Sequence, residues 1–286
     1  MLHRLTTRRP DRAAMSEYIR GFMKAIILSA GQGRRLLPYT AKMPKCLVPV
    51  CGRPLLEWQL RSLHLCGVTE AVIVTGFMSE AVDAFAAQQK FPGLIVRTLF
   101  NPFFAVADNL ASLYLAADAL RDGGVILNGD TLFEPAALDK LLREAQAPVS
   151  VTIDRKSRYD DDDMKVQIDG LRLCAIGKTL SAQETNGESI GMLRLTPDGA
   201  ALMKSAMETV LRDTDGFRRW YLSAVDRLAK NDFGSVAAVS IEGMGWCEVD
   251  CPADMARAET LVRGFSKLQD KPRAVSAWNR TIPRSA

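Results

Sequence analysis

A short loop near the start of the chain combines glycines with cations suited to phosphate binding. The apolar run Ala25–Ser29 is typical of a buried strand, and it leads directly into Gly31-Gln32-Gly33-Arg34-Arg35. Glycines after a strand let backbone N–H groups turn inward toward oxyanions. Lys45 follows ten residues beyond Arg35, on a backbone stiffened by Pro44. Because a guanidinium makes paired contacts with phosphate oxygens and an ammonium acts as a point charge, the loop is suited to wrap a triphosphate.

Two other phosphate loops that follow strands do not fit this segment. A Walker loop needs Gly-Lys followed by Ser or Thr after the glycines, and this loop lacks it. A dinucleotide fingerprint needs a third glycine, where Leu36 stands, and an acid at the end of the second strand, where Thr75 and Gly76 stand. The loop therefore indicates a nucleoside triphosphate rather than a dinucleotide cofactor.

Two aspartates stand just beyond predicted strands. Asp130 follows Gly124–Asn128, and Asp250 follows Trp246–Val249. Ligands of α/β folds bind at the carboxyl ends of the strands. Magnesium takes only one or two protein carboxylates and completes its shell with phosphate oxygens and water, so both aspartates are candidate Mg²⁺ ligands. The alternatives are that Asp250 only caps the helix beginning at Pro252, and that Asp130 only forms a turn.

The glycine loop and its continuation resemble a known signature. Residues 28–45 read Leu-x-Ala-Gly-x-Gly-x-Arg-Leu-x-Pro-x-Thr…Pro-Lys, and Val-x-Gly-x-Pro-Leu-Leu follows from Val50. This is similar to the nucleoside-triphosphate-dependent nucleotidyltransferases, the sugar-1-phosphate pyrophosphorylase superfamily, with Ser29 and Arg34 as soft departures. The resemblance covers about residues 23–260 and implies an α/β fold, a doubly wound, mostly parallel Rossmann-like sheet with the site above the strand ends.

The resemblance also implies roles for individual residues. Asp130 and Asp250 would hold Mg²⁺, and Arg35 and Lys45 would neutralise the nucleotide, so these four are the predicted catalytic residues. In the reaction that the resemblance implies, a phosphate oxygen of a second substrate, the acceptor, would attack the α-phosphorus of the nucleotide and pyrophosphate would leave. This step would need no general base. The implied nucleotide-binding residues are Leu28, Ala30, Gly31, Gly33, Arg35, Lys45, Asn109 and Ser112.

The segment from Asn101 to Tyr114 resembles the phosphocholine cytidylyltransferase branch, which includes inositol-phosphate and aminoalkylphosphonate enzymes. It reads Asn-Pro-Phe-Phe-Ala-Val-Ala-Asp-Asn-Leu-Ala-Ser-Leu-Tyr in place of the glutamine-rich base loop of sugar-type enzymes. The branch implies transfer of CMP from CTP to a small phosphorylated alcohol. A sugar-1-phosphate nucleotidyltransferase using UTP, dTTP or GTP is the alternative, and an inactive regulatory homologue is a more distant one. Asp108 or Asn109 could equally be a helix N-cap.

The second half of the chain carries candidate acceptor-binding residues. Four consecutive acids occupy 160–163, and they indicate either a solvated loop or contact with a cationic head group. Aromatic residues, among them Trp220 and Tyr221, could wall a quaternary ammonium, and two lysines could take the acceptor phosphate. The predicted acceptor-binding residues are Asp108, Tyr159, Asp163, Lys165, Lys178, Glu188 and Trp246.

The order of the predicted elements supports the same fold. Strands and helices alternate up to residue 148, with helices at Leu55–Cys66, Ser79–Gln89 and Asp108–Leu120, which predicts a parallel sheet covered on both faces. Shorter strands follow, with helices at Pro197–Arg212, Phe217–Lys230 and Pro252–Val262. We therefore divide the chain into a disordered basic extension (1–22), a nucleotidyltransferase domain (23–260) with a nucleotide-binding half (23–148) and an acceptor-binding half (149–260), and a basic tail (261–286).

Composition limits the partners and the location. The chain has 286 residues with a net charge of +4, but its basic residues concentrate in 1–22 and 261–286, so nucleic-acid binding by the body is not expected. No apolar run is long enough to span a bilayer, so membrane insertion is not expected. Six cysteines without a Cys-x-x-Cys pair favour a reducing cytoplasm and argue against zinc. The expected partners are small-molecule substrates, and a homo-oligomer is left open.

Overall fold

A single nine-stranded sheet forms the centre of the molecule. The computed structural model describes residues 23–269, and the sheet has the order β5-β4-β1-β6-β11-β8-β12-β10-β9. Its strands are β1 Lys24–Leu28, β4 Glu70–Thr75, β5 Ile95–Phe100, β6 Gly124–Asn128, β8 Val149–Asp154, β9 Lys165–Asp169, β10 Arg172–Ile176, β11 Gly187–Leu195 and β12 Val236–Ser240. Two small ribbons pair β2 Pro49–Val50 with β3 Arg53–Pro54, and β7 Thr131–Phe133 with β13 Trp246–Glu248.

Seven α-helices surround the sheet in the described part of the chain. They are α1 Leu55–Leu65, α2 Ser79–Gln88, α3 Asn109–Ala116, α4 Pro135–Glu144, α5 Pro197–Leu211, α6 Leu222–Asn231 and α7 Asp254–Gln269. Within residues 23–269, none of these helices is long and apolar enough to cross a membrane.

The strand directions confirm the predicted α/β class and explain where a ligand can bind. β1 pairs in parallel with both β4 and β6, and β4 pairs in parallel with β5, so the carboxyl ends of these four strands share one edge. β11 then runs antiparallel between β6 and β8, and it joins the two halves of the chain into one sheet. The loops that follow β1 and β6 therefore open at the same edge, which is where ligands of such sheets bind.

Apolar side chains from both halves pack together on the two faces of the sheet. On one face, Ile26 and Val74 belong to the same buried cluster as Val151 and Leu193. On the other, Ile27 and Ile73 belong to the same cluster as Met192 and Val239. Since both layers draw on the two halves, the nucleotide-binding and acceptor-binding halves are parts of one packed body.

The last helix extends beyond its predicted end. It was expected over Pro252–Val262, whereas α7 spans Asp254–Gln269 and buries Phe265, whose ring lies edge-on to that of Trp58 at 6.3 Å between centroids. Residues 261–269 therefore continue the folded body, and the rest of the predicted basic tail, like the extension 1–22, lies outside the described residues.

Two other helix predictions were wrong in part. The predicted helix Phe217–Lys230 is a 3₁₀ turn at Gly216–Arg218 followed, after a break, by α6. At this break, the carbonyls of Phe217 and Arg219 accept hydrogen bonds from the backbone of Asp108 and Leu110 at the start of α3, instead of bonding within a helix. The predicted helix Asp108–Leu120 begins one residue later and tightens into a 3₁₀ turn from Ala117. The other predicted elements agree with the structure to within three residues.

Candidate active site

The glycine loop brings a lysine to the edge of the sheet. Gly33 has φ +70°, and a Cβ added there would lie 2.7 Å from Lys45 Cδ. The Thr40 hydroxyl donates to the Gly33 carbonyl at 2.9 Å, which fixes the turn. Pro44 has extended geometry immediately before the short 3₁₀ turn Lys45–Leu47. The second glycine of the loop is therefore needed for the left-handed turn and for the close passage of the Lys45 side chain.

Lys45 joins the two predicted metal ligands. Its ammonium donates to Asp130 Oδ2 at 2.7 Å and also to Asp250 Oδ1. Arg35 Nη2 donates to the other oxygen of Asp250 at 2.8 Å. The four predicted catalytic residues therefore form one connected cluster, although they come from four separate segments of the chain.

The small ribbon of β7 and β13 places the two aspartates side by side. Thr131 is paired with Glu248, and the Val249 N–H donates to the Asp130 carbonyl at 3.1 Å. Asp254 accepts from the backbone N–H of Asp250 at 2.9 Å, so it is Asp254 that holds the turn before α7. The interpretation of Asp250 as a helix cap is wrong, because its carboxylate faces Lys45 and Arg35 instead.

Burial and neighbouring charges together shift the pKa values of ionisable groups in this cluster. Burial disfavours the ammonium of Lys45, but the charges of Asp130 and Asp250 outweigh it and raise the Lys45 pKa. Burial, followed by the charges of Asp130 and Asp250, raises the pKa of Glu248 to about 8. Sequence reasoning missed Glu248, although the alternation of side chains on β13 places it on the same face as Trp246.

The aspartate pair fits a divalent cation. Asp130 Oδ1 is buried and has no hydrogen-bond partner among the residues that the structure describes, so a second ligand can bind to it. The Lys45 ammonium already shows that a positive charge is stable between the two carboxylates. No group of three or more His, Cys, Asp or Glu suited to a metal exists within residues 23–269. A metal here would therefore take most of its ligands from substrate and water, as magnesium does.

The predicted nucleotide-binding residues line one cavity of about 370 Å³. Asp108, which was expected on the acceptor side, also lies in this wall rather than in the neighbouring one. Asp108 occupies the N-cap position of α3 without a side-chain cap bond, and the Asn109 amide oxygen accepts from the backbone of Tyr221 at 2.9 Å. The alternative that Asp108 is the N-cap of the helix is therefore confirmed by its position, although its side chain makes no capping hydrogen bond. The residues that the structure brings together here are Leu28, Ala30, Gly31, Gly33, Arg35, Lys45, Asn109 and Ser112.

A second cavity of about 700 Å³ lies on the other side of the aspartate pair. Of the predicted acceptor-binding residues, Asp163, Lys178, Glu188 and Trp246 line it. Tyr159 and Lys165 do not, and their assignment is corrected. Lys165 is buried and its ammonium donates to the Lys178 carbonyl at 2.9 Å, while the Tyr159 hydroxyl accepts from the backbone of Lys156 at 3.4 Å.

The acidic run is exposed over residues 160–162, and two of its members form ion pairs. Asp163 accepts from the Lys156 ammonium at 2.7 Å, and the same ammonium lies 2.9 Å from Glu188 Oε2. Asp162 lies 3.2 Å from Arg35 and 3.3 Å from Lys178. Sequence reasoning missed Lys156, whose second partner, Glu188, lies on a distant strand. Burial above all, then the hydrogen bond with Asp163, raises the Glu188 pKa to about 7 although Lys156 opposes this.

The two cavities meet at the aspartate pair. Arg35, Asn109, Asp130, Trp220 and Asp250 line both of them. A ligand in one cavity and a ligand in the other would therefore come together at the two carboxylates. Such an arrangement suits the transfer of a group between two bound molecules.

Comparisons with known proteins identify relatives of this chain. The CMP-5'-(3-aminopropyl)phosphonate synthase of Streptomyces rubellomurinus is 38% identical over 125 residues, which cover 44% of this chain and 20% of that protein. The choline-phosphate cytidylyltransferase of Streptococcus pneumoniae is 38% identical over 121 residues, which cover 42% of this chain and 51% of that protein. The chain thus matches one fifth of the length of the first relative and about half of the length of the second.

A solved structure and a family model extend the comparison over most of the chain. The inositol-1-phosphate CTP transferase from T. maritima superimposes with a TM-score of 0.69 at 21% identity, covering 85% of this chain and 98% of that one, and it supports the fold. The model of the MobA-like NTP transferase domain matches residues 25–230. The resemblance noted in the glycine loop is therefore confirmed, and the chain belongs to the MobA-like NTP transferase family.

Proposed function

We propose that this chain is a magnesium-dependent cytidylyltransferase, which transfers CMP from CTP to a small phosphorylated alcohol or phosphonate and releases pyrophosphate. The observation that carries the proposal is the pair Asp130 and Asp250, held by Lys45 where the two cavities meet. The relatives named for choline phosphate and aminopropylphosphonate support the choice of CTP and of a phosphorus-containing acceptor.

The reaction needs few groups from the protein. An oxygen of the acceptor phosphate forms a bond to the α-phosphorus of the nucleotide, and the bond from that phosphorus to the bridging oxygen of pyrophosphate breaks. The acceptor phosphate is an anion near neutral pH, so no general base is required. Arg35 and Lys45 offset charge on the triphosphate, and Lys178, in the wall of the larger cavity, orients the acceptor phosphate. Magnesium, when held by Asp130 and Asp250, would supply further charge neutralisation.

The ion pairs of Arg35 and Lys45 indicate how the site would change when substrate binds. Arg35 and Lys45 are bound to carboxylates here, and Arg35 is further held by Asp162. A triphosphate offers more negative charge than these carboxylates, so we expect both cations to turn toward it when it binds. Their release leaves Asp130 and Asp250 free to bind a cation.

The proposal is tested by measuring pyrophosphate release across a grid of substrates. CTP, UTP, dTTP, GTP and ATP are each combined with phosphocholine, 2-aminoethylphosphonate, inositol 1-phosphate and glucose 1-phosphate, with magnesium and then with EDTA. We expect turnover with CTP and a non-sugar acceptor, and its loss in EDTA. Turnover with glucose 1-phosphate alone would establish the sugar-type alternative, and release of no pyrophosphate from any pair would contradict the proposal.

The role of the aspartate pair is tested by an isosteric substitution. Asp130→Asn keeps the shape of the side chain but removes the charge, and we expect turnover to fall at least about a hundredfold because charge stabilisation at the transferred group is lost. Asp122→Asn is the matched control, since Asp122 is exposed in a turn at the far end of β6. Wild-type rates in Asp130→Asn would show that the site is placed wrongly.

A further inference from the structure

The wall of the larger cavity contains two anionic positions, one around Glu188 that is paired with a lysine and one around Asp154 that is not paired with one among the described residues. Asp154 at the end of β8 is paired directly opposite Glu188 on β11. Residues in this relation point to the same face of a sheet with their Cβ atoms about 5 Å apart. Like charges placed directly opposite each other are unfavourable, so a wall of this kind favours bound positive charge.

The position around Glu188 is already filled by a cation of the chain itself. The Lys156 ammonium lies 2.9 Å from Glu188 and 2.7 Å from Asp163, and 5.8 Å from the centre of the Tyr159 ring. The side chains of Glu188 and Asp163 are only 6% and 12% exposed, so removing Lys156 would leave two poorly hydrated carboxylates. Three of the residues predicted to bind a cationic head group, Tyr159, Asp163 and Glu188, therefore surround Lys156 instead.

The position around Asp154 has no such cation. The indole N–H of Trp246 donates to Asp154 Oδ2 at 2.7 Å, and the backbone N–H of Arg155 donates to Oδ1 at 2.8 Å. These bonds fix the carboxylate beside the indole, and no Lys or Arg in residues 23–265 forms an ion pair with it. Arg155 pairs with Glu242 and Arg257 with Asp254 instead. Asp154 and Trp246 both line the larger cavity.

We propose that Lys156 determines acceptor selectivity: its ammonium fills one anionic position of the cavity and confines a cationic head group to the other, formed by Asp154 and Trp246. This inference rests on the proposed transferase function. The three carboxyl groups of this wall have one resident ammonium among them, so the wall keeps a negative charge that a cationic head group would offset. The face of an indole beside a carboxylate is suited to a quaternary or primary ammonium.

The first test compares a cationic acceptor with a neutral one of the same shape. With CTP, we expect kcat/KM for phosphocholine to exceed that for 3,3-dimethylbutyl phosphate about tenfold, which corresponds to about 1.4 kcal/mol. Asp154→Asn should reduce this ratio to near one, mainly through KM for phosphocholine, while Asp163→Asn, the same change in the filled position, should keep it. A ratio lost in Asp163→Asn and kept in Asp154→Asn would overturn the assignment, as would a wild-type ratio of one.

The second test measures binding without turnover, so that it stays informative if the transferase proposal fails. Tetramethylammonium is titrated into the protein by NMR. We expect at least fivefold weaker binding in Asp154→Asn, and about tenfold tighter binding in Lys156→Met because the second position is then open. Arg155→Met removes the same charge from an exposed neighbour that pairs with Glu242, and it should change binding less than threefold. Equal gains in Lys156→Met and Arg155→Met would reduce the effect to general electrostatics and overturn the role of Lys156.

Lys156→Arg keeps a cation in the filled position and should behave like the wild type in both tests. Melting curves of all variants establish that each is folded. A Lys156→Met protein that is folded and binds tetramethylammonium no more tightly than the wild type would also overturn the proposal.

Discussion

Individual carboxylates in this molecule are distinguished by the cation each one meets. Asp130 and Asp250 share Lys45, Glu188 and Asp163 share Lys156, and Asp154 has only N–H donors. An ionised carboxylate that is half-buried needs such partners, since burial disfavours charge. The partners therefore decide which acids are available to a ligand and which are part of the scaffold.

Glu188 makes the stability of the protein depend on pH. Its pKa lies at about 7 against an ordinary 4.5, so the folded state holds a proton that the unfolded state has released between these values. The free energy of unfolding must then fall as pH rises from about 4.5 to about 7. In Glu188→Gln this loss is absent. We therefore expect the free energy of unfolding of the variant, relative to that of the wild type, to be about 2 kcal/mol higher at pH 8 than at pH 5.

Urea denaturation in EDTA at the two pH values measures this gain. Glu80→Gln serves as the control, because Glu80 is exposed on α2 and its loss should leave the wild-type pH profile unchanged. A gain for Glu188→Gln that is the same at pH 5 and pH 8 would contradict the assignment of this titration to Glu188.

Sequence reasoning predicted four residues that the structure brings together, but not their surroundings. Arg35, Lys45, Asp130 and Asp250 were predicted because each stands at a fixed place after a strand or within a recognisable motif. Lys165 was assigned wrongly because the direction of a lysine depends on its neighbours in space, and here the carbonyl of Lys178, just beyond the neighbouring strand β10, accepts a hydrogen bond from its ammonium. Lys156 and Asp154 were missed because each has one partner on a strand far away in the chain. Glu248 was missed although the alternation of side chains on β13 could have indicated it.

At the scale of elements, two short segments place the residues that line the site. The β7–β13 ribbon joins the two aspartates although about 120 residues separate them, and it has only three residue pairs. The 3₁₀ turn at Gly216–Arg218 interrupts a segment with the periodicity of a helix, because its carbonyls are needed at the start of α3. Apolar periodicity predicts regular elements well, whereas such tertiary hydrogen bonds are invisible to it.

The glycine loop yields a prediction at this scale. In Gly33→Ala, the left-handed backbone costs about 1–2 kcal/mol, and the new methyl group overlaps the Lys45 side chain. We expect the free energy of unfolding to fall by about 2 kcal/mol and turnover to fall at least about tenfold, since Lys45 must move. Gly31→Ala is the matched control for stability, because a Cβ there meets no atom within 4 Å. Equal stability of the two variants, measured by urea denaturation, would contradict this role for Gly33.

At the scale of the whole molecule, the sheet is continuous where the sequence suggested two halves. The change of pattern after residue 148 is real, since strands before it are parallel and β11 and β10 after it are antiparallel to their neighbours. The change does not mark a separation, however. β11 lies between β6 and β8, and both hydrophobic layers contain residues from each half.

This continuity predicts that the protein unfolds in one step. Removing the acceptor-binding half would expose the edge of β6 and both apolar layers, so neither half can keep its core without the other. We expect scanning calorimetry of the full chain to show one transition, with calorimetric and van't Hoff enthalpies in a ratio near one. A fragment of residues 23–148 should lack a cooperative transition. Two resolved transitions in the full chain, or cooperative melting of the fragment, would mean that the cleft separates independent domains, and the catalytic cluster would then have to be assembled by domain closure.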